Sequence, residues 1–131
     1  MMSRRTLFLK QGYVSALSGL IGACNIFLEK IKQGLNPKLE KYGRYLIQRL
    51  NNFPDESWRF EGEYEDIVKE AYNTLREFQK VIGEILNTRK IDTDELETLQ
   101  KKADRIFLQL NSIEKEILTA VSAGWCLWLK N

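Results

Sequence analysis

From residue 96 to residue 117 the apolar residues recur at intervals of three and four without a break: Leu96, Leu99, Ala103, Ile106, Leu110, Ile113 and Ile117. That alternation sets all seven on one face of a helix, the seam of an antiparallel bundle or coiled coil. A second stripe, Ile67, Ala71, Leu75, Phe78, Ile82 and Ile85, predicts a long helix over about residues 56–87, with Trp58 packing at its entrance. Leu39, Gly43, Leu46, Ile47 and Leu50 share one face of a third helix over residues 38–52, and residues 25–33 form an apolar-rich helical stretch before it. The punctuation fits. Gly34 can end one helix, and Asn36-Pro37 can start the next with a side-chain cap and a proline at the first helical position. Phe53-Pro54-Asp55 breaks the chain, residues 87–90 form a short loop, and Asp92 with Glu95 has the spacing of a capping box. Residues 120–130 are small and then aromatic, with Trp125 and Trp128. They extend the last helix or turn back as a short final one. No segment alternates as a strand, so the chain is expected to be all-α, an up-down bundle of three to four helices.

The first turns of the chain fit a different pattern. Ser3-Arg4-Arg5 is followed by Thr6-Leu7-Phe8-Leu9-Lys10, and then by 18 residues, Gln11 to Leu28, without a charge. This resembles a twin-arginine export signal: a basic start, a mildly apolar run diluted by Gly12, Ser15, Ser18, Gly19 and Gly22, and a small-residue end. Ile21-Gly22-Ala23-Cys24 has the form of a lipobox, in which Cys24 would be lipidated and become the first residue. The division expected is then a signal over residues 1–23 and a helical domain over residues 24–131. The same residues allow another reading. Ser15, Gly19 and Ala23 recur every four positions, which suits a first bundle helix packed closely against a neighbour. The run is marginal in length and too polar for a typical membrane span.

Composition narrows the chemistry. A chain of 131 residues predicts one domain. It has no histidine, so the commonest general base and metal ligand are missing. The two cysteines, Cys24 and Cys126, make neither a metal site nor a disulfide framework. No phosphate-binding glycine loop occurs. The expectation is a protein with no catalytic residues, no cofactor and no metal. The acidic stretch around Asp55, Glu61, Glu63 and Glu70 lacks the spacing of a calcium loop and reads as a solvated helix start.

One helix face stands out. On the 38–52 helix, Lys38, Lys41, Tyr42, Arg44, Tyr45 and Arg49 cluster opposite the leucine face. Positive charge interleaved with aromatic rings suits an acidic protein surface or a nucleic-acid backbone. It also describes an ordinary solvated face along which lysine and arginine stems lie.

The stretch Ala103-Asp104-Arg105-Ile106-Phe107-Leu108-Gln109-Leu110-Asn111-Ser112-Ile113-Glu114 resembles the third-helix motif of the PsbQ family, the Q-type extrinsic subunits of photosystem II. Trp58 before the preceding helix and Leu75-Arg76 within it match that family's tendencies, as does an export signal. The resemblance implies a non-catalytic four-helix bundle in the thylakoid lumen. It would be peripheral to the membrane, with a lipid anchor at Cys24 as the membrane contact. Its partners would be protein subunits of a photosynthetic membrane complex rather than nucleic acid, and it would stabilise the oxygen-evolving assembly. Two other classes fit the residues: a cytoplasmic small subunit of a nucleoprotein complex, of the kind found in CRISPR effectors, and a self-assembling helical scaffold.

Overall fold

Four α-helices and one 3-10 turn follow one another in the computed structural model, which describes residues 3–130, with side chains through residue 123. They are α1 (Arg4–Ile31), α2 (Pro37–Asn52), the 3-10 turn Ser57–Phe60, α3 (Glu65–Thr88) and α4 (Thr93–Lys130). Their starts are set by local chemistry. The Ser3 hydroxyl accepts from the Thr6 N–H at 3.1 Å, and Asn36 Oδ1 accepts from Leu39 N–H at 2.8 Å, with Pro37 at the first helical position. Asp92 Oδ1 accepts from the backbone N–H of both Asp94 and Glu95, which is the Asp92 half of the expected capping box.

The topology is up-down, and the cross-helix contacts give the directions. Tyr13 reaches Pro54 and Phe27 meets Tyr42, so α1 and α2 are antiparallel. Asn51 meets Gln79 and Glu40 meets Arg89, which reverses α3 on α2. Glu77 meets Lys102 and Glu70 meets Arg105, which reverses α4 on α3. The most extensive interface joins α1 to α4. Along it runs a polar ladder: Gln11 to Glu114 at 3.2 Å, Ser18 to Asn111 at 3.2 Å, Asn25 to Asp104 at 2.7 Å, and Gln100 to Glu29 at 3.0 Å. Beneath it, Val14, Leu17, Ile21, Leu28, Phe78, Ile82, Ile106 and Leu110 are fully buried together.

α1 is the helix on which the sequence reading and the fold meet. Residues 4–31 form one uninterrupted helix, longer than the helical stretch expected over residues 25–33 and ending within it. Tyr13, Val14, Leu17, Leu20 and Ile21 belong to the core, and Cys24 is wholly buried in mid-helix. By length and composition α1 could cross a membrane, yet half of its most apolar window lies inside the bundle.

Two expectations change, and one open alternative is resolved. The helix predicted from residue 56 begins at Glu65, because Gly62 and Tyr64 take left-handed backbone angles, φ 84° and 64°, which no α-helix continues through. Trp58 does not pack at a helix entrance. It lies on the 3-10 turn, 61% exposed, with the Arg59 guanidinium 4.3 Å from its ring centre. Residues 120–130 do not turn back but continue α4. The side chains of Trp125, Cys126 and Trp128 lie outside the described residues.

Candidate docking face

α2 is held to the bundle by its small and leucine positions. Gly43, Leu46 and Leu50 are buried, while Leu39 and Ile47 are half-buried. Gly43 is a close approach: a Cβ there would lie 2.8 Å from Phe27 Cζ and 3.2 Å from Leu86 Cδ2. Only glycine lets α2 sit so near α1 and α3. Two side chains fasten its far end. Arg76 of α3 donates to the carbonyls of Leu50 and Phe53, both at 2.9 Å, and to Gln79 Oε1 and the Tyr72 hydroxyl. It thereby adds a charged donor to the Leu50 carbonyl, which also accepts the Phe53 N–H at 3.3 Å, and a partner to the Phe53 carbonyl past the helix end. Tyr13 of α1 donates its hydroxyl to the Pro54 carbonyl at 2.9 Å and accepts the Glu56 N–H at 3.2 Å.

Anchored this way, α2 turns its opposite face outward. Lys38, Lys41, Tyr42, Arg44, Tyr45 and Arg49 are all exposed, as the pattern predicted. The rings of Tyr42 and Tyr45 stand 6.1 Å apart, Tyr42 also meets Phe27 at 6.1 Å, and the Arg49 guanidinium lies 6.0 Å from the Tyr45 ring. The charges are not equally available. Glu40 accepts from Arg44 and from Arg89, each at 2.8 Å, so one carboxylate serves two guanidinium groups. Arg89, brought in from the end of α3, extends the basic face. Nothing in the spacing of residues 38–52 signals it.

Cys24 is absent from this surface. Burial pushes its thiol up to about 12, against a smaller opposing pull from Arg49. A thiol held protonated inside a core is a poor nucleophile. Among the described residues no three histidine, cysteine or acidic side chains converge to hold a metal ion.

The Tyr13 hydroxyl gives a pH test of how the α2–α3 connection is held. Burial raises its pKa to about 12, and the Glu56 N–H bond acts in the opposite sense. Its folded value lies above the unfolded value of about 10. The associated stability is therefore complete below about pH 10 and is lost as pH rises towards 12. Urea titrations between pH 7 and 11.5 should show wild type losing stability across the upper part of that range. Tyr13→Phe should lose less there, after costing about 1 kcal/mol at neutral pH. Parallel curves for the two proteins would exclude Tyr13 as the titrating group.

No protein family, curated protein or solved structure matches this chain.

Proposed function

We propose that the protein is a non-catalytic docking subunit that meets an acidic protein surface through the outer face of α2. The observation that carries this reading is the arrangement of that helix. Lys38, Lys41, Arg44 and Arg49 face outward around two exposed tyrosines, on a helix fixed to the bundle by Gly43, Tyr13 and Arg76. A rigid face of this kind loses little freedom on binding, and tyrosine offers contact area at low entropic cost.

An extrinsic subunit of photosystem II, PsbQ-like, is the specific form of the proposal. Its support is the 103–114 motif and the four-helix up-down architecture. In this form we propose that α1 is kept rather than removed before Cys24, because Tyr13, Val14, Leu17, Leu20 and Ile21 fill the core. An intact mass from the native host should include residues before Cys24. A mass that starts at Cys24 with an added lipid would overturn retention.

Charge reversal tests the face. Lys41→Glu with Arg44→Glu should weaken binding to an acidic polypeptide, poly-glutamate, by about tenfold or more at low salt, and raising the salt should reduce wild-type binding. Lys80→Glu with Lys101→Glu changes net charge equally on exposed positions of α3 and α4 and should have little effect. Equal losses in the two double variants would remove the α2 face. Co-sedimentation with washed thylakoid membranes tests the photosystem form. Salt-sensitive binding to single-stranded RNA in place of the polypeptide would favour the nucleoprotein class.

A further inference from the structure

We propose that a second copy of this chain docks on the outer face of the α1–α4 pair, around a two-fold axis at the level of Gly19. Unlike the outer faces of α2, α3 and α4, that of α1 carries no charge over many turns. α2 is basic, α3 presents Lys69, Glu77, Lys80 and Glu84, and α4 presents Glu97, Lys101 and Arg105. Along α1, Gly12, Ser15, Ala16, Gly19 and Ile26 are exposed and uncharged. Ile26 is 58% exposed, and Leu108 on the adjacent side of α4 is 68% exposed, the largest value among the exposed large apolar side chains of the described residues.

Symmetry makes charge the deciding property. A two-fold contact sets a patch against itself, so a basic or acidic face repels its own copy whereas an uncharged one does not. The register of α1 on α4 fixes where the axis can fall. Ser18 bonds Asn111, and a Cβ on Gly22 would lie 3.6 Å from the Phe107 ring, so Gly19 is level with Leu110. An antiparallel pairing about that level lays uncharged α1 on uncharged α1. It brings Leu108 within a turn of its own copy. On α4 it sets Asp104 beside Lys115 of the copy, since these two exposed residues stand about equally far to either side of the axis. The small side chains let the two α1 axes approach closely.

Area sets the strength. Eighteen helical residues span about 27 Å, and a face two helices wide then buries on the order of 500 Å² per copy, short of the ~800 Å² of a standard interface. The dimer is accordingly of micromolar strength, and it leaves the α2 face free for a different partner.

Sedimentation or light scattering on the full chain tests this. The mass should rise from the 15.4 kDa monomer towards the dimer between about 1 and 100 μM. Leu108→Glu should weaken association by at least about tenfold, because it sets two carboxylates together at the axis. Ser15→Glu should act likewise, and carries the test if circular dichroism shows that Leu108→Glu does not fold. Asp104→Lys should weaken the dimer, and Asp104→Lys with Lys115→Asp should restore it. A wild type that stays monomeric at the upper concentration overturns the proposal, as does a dimer that neither glutamate variant disturbs. Failure of the double exchange to restore the dimer overturns the axis. A persistent monomer that sediments with phosphatidylcholine vesicles assigns the face to lipid instead.

Discussion

A chain that begins at Cys24 is expected not to fold. Removing residues 1–23 takes Tyr13, Val14, Leu17, Leu20 and Ile21 out of the core, together with the Gln11 and Ser18 rungs of the ladder to α4. Each of those five side chains contributes about 1.5–3 kcal/mol on burial. Their sum, roughly 7–15 kcal/mol, equals or exceeds the whole stability of a typical domain, about 5–15 kcal/mol. What remains of α1 is about two turns, too short to hold a helix without support. Circular dichroism of the purified truncated chain should show far less helix than the full chain and no cooperative thermal transition. A truncated chain that melts cooperatively within a few degrees of the full one would show that the core closes without the first helix.

Arg76→Ala is expected to cost about 2–4 kcal/mol, an unusually large loss for a partly exposed polar side chain. The reason is what the guanidinium leaves behind. The carbonyls of Leu50 and Phe53 lose a charged donor at the end of α2, and the Tyr72 hydroxyl and Gln79 lose theirs as well. The Arg76 guanidinium also lies 4.7 Å from the Tyr72 ring. Arg76→Lys should recover less than half of the loss, because one ammonium cannot span two carbonyls and a hydroxyl as a planar fork does. Denaturant titrations of the three proteins read this directly. A loss below about 1 kcal/mol for the alanine variant would mean that water replaces the arginine at no cost. Since Arg76 fixes the end of the helix that carries Arg49, the alanine variant should also weaken binding at the α2 face.

The bundle itself was legible because its signals are periodic and local. The seam from Leu96 to Ile117 is buried at every one of its seven positions, and the caps at Asn36 and Asp92 act as their spacing implies. The outward face of α2 was legible for the same reason: once Leu46 and Leu50 point inward, geometry sends Lys41 and Tyr45 outward. What the pattern could not carry is long-range. The pairing of Glu40 with Arg89 and the reach of Arg76 to Leu50 depend on how α2 lies on α3, and no spacing within either helix encodes that. The start of α3 was misread because acidic residues at 61, 63 and 65 suit a helix start at several registers. The backbone angles at Gly62 and Tyr64 select one. Trp58 is expected to pack at the entrance of that helix, yet its neighbour Arg59 covers its ring at the surface.

The most extensive interface among the described residues joins α1 to α4, and this orders events during synthesis. α1 is complete by residue 31, whereas α4 starts only at residue 93. At 5–20 residues per second, the ribosome takes roughly 3–12 s to pass from residue 31 to residue 93. Throughout that interval the face of α1 destined for α4 has no partner, and residues 11–28 of the helix stand as an uncharged, apolar-rich run behind Arg4, Arg5 and Lys10. The contact that closes the bundle last is thus the one whose first half waits longest for its partner.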